Sequence, residues 1–293
     1  MAKNKSKVRV KKPLRLIISM VALFTASALI YAAAPFVKVF FVHSEGVRNF
    51  VLCGVDEGGY RTDMLMVAQY NFDRKSVTVL QIPRDTYVSK SLDHKINSAY
   101  GTKDKEKTMF AAVKEVTGIE ADKFATVSFE GFRKIIDEIG GVEIDVPFRM
   151  KYDDPYQDLH IDLEPGVQVL SGAKAEQFVR WRKNNSGMAS PGGGGDLVRV
   201  ESQSEFMRVV AKKVLAFPNI LKAPKLLSIA MDNITTNFTE DELTVLIGKA
   251  LRTKPDNITI LQLPGEPKMI NGGSYFIHDS RAAKELVEEN FEI

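Results

Sequence analysis

The feature that most constrains this chain is an uncharged apolar run near its N-terminus. Leu16–Ala34 contains 19 consecutive residues without a charged side chain. At about 1.5 Å rise per residue, a helix of that length matches the thickness of a bilayer core. Seven Lys and Arg residues precede the run within residues 1–15, with no acidic residue among them. The positive-inside rule therefore predicts a cytoplasmic N-terminus and an exported remainder.

This pattern predicts a single-pass protein of the bacterial cell membrane. The predicted segments are a basic cytoplasmic tail over 1–15, a transmembrane anchor over 16–37, a stalk over 38–47 and an extracytoplasmic domain over 48–293. The alternative is a cleaved signal peptide, because Ala26-Ser27-Ala28 and Ala32-Ala33-Ala34 resemble its small-residue cleavage sites. Both alternatives place the domain outside the cytoplasm.

Charge and cysteine content exclude several classes of function. The net charge is +3, and subtracting the seven N-terminal positive charges leaves the remainder at −4. A mildly acidic domain does not suit nucleic-acid binding, so we expect no nucleic-acid partner. A single cysteine, Cys53, excludes an internal disulfide and a cysteine-based zinc site.

Strand-like and helix-like segments alternate from Arg48 onward. Met64–Asn71 and Val77–Ile82 are β-rich and flank a polar turn, so they predict an antiparallel hairpin. Lys105–Val116 has helical periodicity. We expect one α/β or α+β domain with a mixed central sheet flanked by helices. The other predicted elements are strands at Asn49–Cys53, Phe124–Ser128, Val142–Val146 and Ile258–Leu263, and helices at Phe129–Ile139, Ser171–Gln177, Leu197–Phe217, Ile220–Met231 and Glu240–Leu251.

Charged residues collect at one end of the predicted hairpin. Arg61 and Arg84 are symmetric about position 72.5, so antiparallel pairing places both at the same end of the sheet. Asp63 lies there too, and Asp56 ends the preceding strand. Paired carboxylates suit Mg²⁺, and guanidiniums suit bidentate phosphate contacts, so this set is suited to a diphosphate. The alternative is two ordinary surface ion pairs.

A second charged cluster follows in the chain. In an extended segment Arg180 and Arg182 share one face, where they repel each other unless an anion lies between them. Asp196, Arg199 and Gln203 form one stripe of the next predicted helix. The alternative for this stripe is a solvated helix face.

At these residues the sequence resembles the LytR-CpsA-Psr family. The resemblance runs from about residue 48 to 215, and several motifs occur in the family's order. They are Arg61-Thr62-Asp63-Met64, Ile82-Pro83-Arg84-Asp85-Thr86, Lys95-Ile96-Asn97-Ser98-Ala99-Tyr100-Gly101, Gly140-Gly141-Val142-Glu143-Ile144-Asp145-Val146-Pro147, Leu170-Ser171-Gly172-Ala173-Lys174-Ala175, Arg180-Trp181-Arg182 and Gly195-Asp196 with Arg199 and Gln203.

The resemblance implies a phosphotransferase of bacterial cell-wall assembly. Such proteins move a glycopolymer (wall teichoic acid, capsule or a related glycan) from a polyprenyl-diphosphate carrier to peptidoglycan, forming a phosphodiester. Carried over by position, Asp56 and Asp63 would hold Mg²⁺, with Mn²⁺ as the alternative ion. The catalytic set would be Arg61, Arg84, Arg180, Arg182 and Asp196. The diphosphate-binding set would be Arg61, Arg84, Lys95, Arg180, Arg182, Arg199 and Gln203.

Two other functions remain open at this point. The first is hydrolysis of the lipid-linked diphosphate, with water in place of the sugar hydroxyl. The second is a non-catalytic regulator that binds envelope lipids. Phosphoryl transfer needs positioning and charge neutralisation more than covalent catalysis, and a carrier lipid needs a long apolar cavity.

Overall fold

The computed structural model describes residues 45–55, 61–155, 159–185 and 196–292. The predicted tail, the anchor, most of the stalk and Asp56 lie outside these ranges. Within the described ranges, we find no helix that combines the length and the apolar character of a bilayer span. The single-pass topology therefore stays a prediction.

The described chain forms a mixed α+β fold, as predicted. The strands are β1 (Val47–Val55), β2 (Thr62–Asn71), β3 (Ser76–Ile82), β4 (Lys123–Val127), β5 (Val142–Val146), β6 (Met150–Asp154), β7 (Leu159–Leu163), β8 (Gly166–Leu170), β9 (Ile234–Thr236), β10 (Ile258–Gln262), β11 (Gly265–Ile270) and β12 (Gly273–His278). The α-helices are α1 (Lys105–Thr117), α2 (Phe129–Glu138), α3 (Gly172–Arg180), α4 (Asp196–Leu215), α5 (Ala223–Asn233), α6 (Glu240–Ala250) and α7 (Ser280–Asn290). Short 3₁₀ turns cover Ile96–Gly101, Asn219–Lys222 and Pro255–Asn257.

The central sheet has the strand order β10-β3-β2-β1-β4-β9. The β1–β2–β3 meander is antiparallel, β4 pairs with β1 in parallel and β10 pairs with β3 in parallel. The late strand predicted at Ile258–Leu263 thus forms the edge next to the hairpin. The predicted mixed sheet flanked by helices is confirmed.

Side chains alternate between the two faces of this sheet, because successive residues of a strand point in opposite directions. On the first face, Val51 and Leu80 pack with Met109 and Val113 of α1 and with Val287 of α7. The predicted apolar stripe of α1 is buried there. The second face carries the other residues of the same strands, and α2 and α4 cover part of it around a cavity. This second face builds the candidate site.

A second layer of structure supports α2, α3 and α4. The antiparallel strand pairs β5–β8 and β6–β7 help to bury a separate apolar cluster that includes Ile136, Phe178, Trp181 and Phe206. The Ser128 Oγ accepts from the Gly131 N–H at 3.1 Å and caps α2. Packing against this cluster fixes the helices that face the sheet. The sequence analysis did not predict the strands β6–β9, β11 and β12 or the helix α7.

The hairpin register differs from the predicted one. Asn71 pairs with Ser76 and Leu65 with Ile82, so residues 72–75 form the loop and Lys75 takes a positive φ of 52°. Extending this register two residues past Leu65 and Ile82 places Asp63, not Arg61, opposite Arg84. The predicted symmetry about 72.5 was therefore wrong by one position, because the sequence alone does not reveal the loop conformation.

Candidate active site in a cavity with one cationic end

A cavity of about 640 Å³ lies between the second face of the sheet and the helices α2 and α4. Much of its wall is apolar, with sheet residues on one side and helix residues on the other. These apolar residues include Leu52, Met64, Met66, Val77, Val79, Ile258, Ile260, Phe132, Ile135, Phe206, Met207 and Val210. Charged and polar lining residues are Asp63, Arg84, Arg180, Arg182, Lys183, Arg199 and Gln203.

The charged lining residues lie towards one end of the cavity. Helix α4 runs antiparallel to β3 and β10, so its first turns, which carry Arg199 and Gln203, lie beside the ends of these strands. Near its start, Gln203 Oε1 accepts from Gln81 Nε2 at 2.8 Å; farther along, Arg208 Nη2 donates to the Ile260 carbonyl at 3.1 Å. Arg199 and Ala211 both line the cavity and lie about 18 Å apart along the helix axis. We call the two regions the cationic end and the apolar end.

The hairpin contributes an ion pair to the cationic end. Arg84 Nη1 donates to Asp63 Oδ1 at 2.7 Å, and both side chains are half-buried. Asp63 belongs to β2, and Arg84 follows β3 after Pro83. The observed register therefore brings together the carboxylate and one guanidinium that the sequence analysis selected.

Arg180 enters the cavity wall from the last turn of α3. Its Nη1 donates to Glu176 Oε1 at 2.8 Å, and its guanidinium lies 4.6 Å from the centre of the Phe129 ring. Glu176 is buried and also accepts from Arg133 Nη1 at 2.5 Å. An internal carboxylate thus binds the arginine and holds it in place.

The helix predicted to end at Gln177 continues for three more residues, so the extended segment begins three residues later than predicted. Arg180 ends α3, and Trp181 is the first residue with extended backbone angles. The Trp181 ring is buried, and its Nε1 donates to Asn184 Oδ1 at 3.0 Å. The buried Trp181 ring lies directly before Arg182 in the chain and holds this segment in place. Arg180 and Arg182 both line the cavity, although they do not share one strand face.

Arg199 and Gln203 are buried on α4, so the alternative of a solvated helix face is wrong for these two residues. The Gln203 amide is engaged at both ends. Its Nε2 donates to the Val179 carbonyl at 2.8 Å, and its Oε1 accepts from Gln81. Gln203 therefore joins α4 to α3 and β3. These contacts support a positioning role for the amide, and the diphosphate contact expected from the sequence stays a prediction.

Two of the expected residues that the structure describes, Arg61 and Lys95, do not line the cavity. Arg61 is exposed, and its Nη2 donates to Asp93 Oδ2 at 3.4 Å. Lys95 donates to Asp85 Oδ1 at 2.9 Å and lies 5.3 Å from the Tyr275 ring centre. Asp56 lies outside the described residues. The side chain of Asp196, the first residue of α4, is not described either.

The donor set at the cationic end fits a hard cation. Mg²⁺ is commonly held by one or two carboxylates together with phosphate oxygens of a substrate. Asp63 supplies one carboxylate beside the arginines. Among the described residues, no group of three metal-ligating side chains is present. A Mg²⁺ ion here would therefore need ligands beyond Asp63, and Mg²⁺ binding stays a prediction.

Glu176, Phe129 and Lys183 were missed by sequence reasoning. Glu176 lies four residues before Arg180, a spacing that favours an ion pair on a helix and could have suggested it. The Arg133 contact spans 43 residues and has no local signal. Lys183 follows Arg182 directly and also lines the cavity.

Comparisons with known proteins identify relatives of this chain. Teichoic acid transferase TagV of Bacillus subtilis is 32% identical over 207 residues, which cover 69% of this chain and 50% of TagV. TagU of Oceanobacillus iheyensis, also named a polyisoprenyl-teichoic acid–peptidoglycan teichoic acid transferase, is 29% identical and covers 78% of this chain and 70% of TagU. Regulatory protein MsrR of Staphylococcus aureus is 30% identical and covers 67% and 58%.

Solved structures share the fold. The crystal structure of B. subtilis TagV matches with a TM-score of 0.66 and 25% identity, covering 84% of this chain and 98% of that one. TagT bound to LIIa-WTA matches with a TM-score of 0.63 at 22% identity, covering 83% and 89%. This chain spans about half the length of the curated TagV sequence. The sequence model of the LytR_cpsA_psr family matches residues 24–292, and the chain belongs to that family.

Proposed function

We propose that this protein transfers a glycopolymer, together with its phosphate, from a polyprenyl-diphosphate carrier to a hydroxyl of peptidoglycan. The observation that carries the proposal is one cavity with a cationic end and a long apolar remainder. A polyprenyl diphosphate has the same two-part chemistry. Relatives named teichoic acid transferases support the choice of substrates.

In the proposed complex the diphosphate lies at the cationic end. Arg84, Arg180, Arg182 and Arg199 would bind its oxygens, because guanidiniums match phosphate geometry and keep their charge at any physiological pH. The apolar remainder of the cavity would take the polyprenyl chain and keep it out of water. Asp63 and Asp56 would hold Mg²⁺, which supplies further charge neutralisation when bound.

The reaction is a direct displacement at phosphorus. The acceptor hydroxyl oxygen forms a bond to the phosphorus that carries the glycan, and the bond between this same phosphorus and the bridging oxygen breaks. Polyprenyl monophosphate leaves with the bridging oxygen, and the hydroxyl proton passes to a base, for which we propose Asp196. The arginines stabilise the charge that develops on the phosphoryl oxygens.

The test uses the full chain in vesicles with a short polyprenyl-diphosphate oligosaccharide, Mg²⁺ and uncrosslinked peptidoglycan strands. Mass spectrometry follows the products. The proposal expects a phosphodiester-linked glycan on peptidoglycan, which is lost with EDTA and in Arg84→Ala. The matched control is Arg74→Ala, because Arg74 is an exposed arginine paired with Glu292 outside the cavity.

The other outcomes assign a different function. Free phosphorylated glycan in the presence of acceptor would identify a lipid-diphosphate hydrolase. Retained carrier binding with no turnover would identify a regulator that binds envelope lipids. Loss of metal dependence, with transfer intact, would contradict the Mg²⁺ part of the proposal alone.

A further inference from the structure

An exposed apolar tip follows α4 at the apolar end of the cavity. The segment is Ala216–Leu221, which we call the α4 tip. Phe217 is 78% exposed and Leu221 is 67% exposed, although side chains of this size are usually covered. Two large apolar side chains at one helix end indicate a surface that contacts something other than water.

The chain around the α4 tip is basic and has no acidic residue. From residue 206 to residue 231 the sequence contains no Asp or Glu, and its basic residues are Arg208, Lys212, Lys213, Lys222 and Lys225. Lys225 pairs with Glu138 at 2.5 Å, and Lys222 donates to the backbone carbonyl of the same residue at 2.7 Å. Two of these five basic residues are paired with carboxylates outside the stretch, Lys225 with Glu138 and Arg208 with Glu205, so the stretch keeps a net positive charge.

The tip lies at the end of the sheet where the described fold begins. Because α4 runs antiparallel to β3, its C-terminal end points towards the start of β3, where Val77 lines the cavity. Lys213 Nζ donates to the Gly140 carbonyl just after α2. Val47, the first residue of β1, pairs with Asn71 at this same end of the sheet. The segment predicted to hold the anchor is therefore joined to the fold at this end.

We propose that the α4 tip docks on an anionic lipid bilayer. Phe217 and Leu221 enter the interfacial region, while the surrounding lysines lie at the level of the acidic headgroups. An apolar partner protein would not need a basic stretch without acidic residues beside the exposed apolar side chains, whereas an anionic membrane selects both features. Only the purpose of this docking rests on the proposed function: it brings the apolar end of the cavity to the lipid phase. A carrier chain can then enter without crossing water.

The test measures the environment of the tip in the full chain and uses no carrier or acceptor. Phe217→Cys and Leu221→Cys are each labelled with the fluorophore NBD and reconstituted in vesicles that contain phosphatidylglycerol. Native Cys53 is buried but lines the cavity, so it is replaced by Ala in all three labelled variants. Met269→Cys is the matched control, since Met269 is 66% exposed on β11, which follows the opposite end of β10.

The proposal expects NBD emission to shift to the blue at positions 217 and 221 in anionic vesicles, with no shift at 269. Lys212→Gln should weaken this docking by about fivefold, the effect of one lysine near an anionic surface.

Equal emission at all three positions would overturn the proposal. So would a shift that depends on protein concentration in detergent, which would mean that a second copy covers the tip. An equal shift in zwitterionic vesicles would overturn the anionic part. Since no turnover is measured, failure here leaves the transfer proposal standing.

Discussion

Arg84 and Asp63 face each other across the β2–β3 hairpin, with 2.7 Å between Nη1 and Oδ1. Both side chains also line the cavity. The pair therefore stands at the point where the sheet meets the cationic end. A carboxylate beside a phosphate-binding guanidinium is unfavourable for an anionic ligand unless a cation is shared between them. This is why we assign the Asp63 carboxylate to the metal.

The first prediction concerns this carboxylate. Asp63→Asn keeps the side-chain volume and removes the charge, so transfer should fall by about 100-fold, a typical loss for one preorganised electrostatic group. The matched control is Asp153→Asn, which removes an exposed carboxylate paired with His160 outside the cavity and should retain near-normal rates. Equal losses in both variants would contradict the assignment of the site to the cavity.

The second prediction concerns Glu176 as a positioning residue. Glu176→Gln weakens the hold on Arg180 and should raise the carrier KM more than it lowers kcat, with only a small stability change. Glu176→Ala leaves the largely buried Arg180 charge without its carboxylate and should cost about 3 kcal/mol of unfolding free energy. Steady-state kinetics and denaturant unfolding measure the two effects. An unchanged KM in Glu176→Gln would contradict the positioning role.

The third prediction separates structure from substrate binding at Gln203. Its side-chain amide forms hydrogen bonds with Gln81 and with the Val179 carbonyl, so Gln203→Ala should lower the unfolding free energy by about 2 kcal/mol. Denaturant unfolding measures this loss. A normal stability with weakened carrier binding would show instead that the amide contacts the diphosphate.

The fourth prediction tests the apolar end. Ala211 lines the cavity on α4, and Ala211→Phe adds a ring to a space that we assign to the polyprenyl chain. The variant should lose activity with long carriers and keep it with short ones, because only a long chain reaches this position. Carrier length is thus the internal control. Equal losses at both lengths would indicate a general folding defect and contradict the assignment.

The fifth prediction concerns pH and His278. Burial lowers the pKa of His278 below its usual 6.5, although Glu115 and Asp279 act in the opposite direction. The unfolded chain then binds a proton at a higher pH than the folded chain, so this contribution to stability is complete above pH 6.5 and is lost as the pH falls towards the folded pKa. His278→Gln should remove that part of the pH dependence in unfolding experiments. An unchanged pH dependence of the unfolding free energy in this variant would contradict the assignment to His278.

Local signals predicted the main elements well. The apolar stripe of α1, the hairpin and the late strand β10 all follow from periodicity and turn residues. The register was missed because it depends on how residues 72–75 close the loop. The predicted centre of the hairpin was wrong by one position, so Arg61 was predicted opposite Arg84, whereas the observed register places Asp63 there. Turn conformation is decided by the whole sheet as much as by the turn's own residues.

The site could be predicted only in part for a similar reason. Charge patterns and family motifs mark Arg84, Arg180, Arg182 and Arg199, and all four line the cavity; their contact with a diphosphate stays a prediction. The partners of the site residues were not found, since the Glu176–Arg133 and Gln203–Gln81 contacts join distant segments. Periodicity also gave no means of separating the apolar wall of the cavity from the buried core, because both use the same residue types.

The most direct measurement is to map where a carrier lies in the full chain. A polyprenyl diphosphate with a photoreactive group at the far end of its lipid chain is crosslinked in vesicles, and the labelled peptides are identified by mass spectrometry. The account predicts crosslinks at the apolar end, on residues such as Val210 and Ile258, that are lost in Arg84→Ala. Crosslinks confined to the exposed surface, and unaffected by Arg84→Ala, would contradict it.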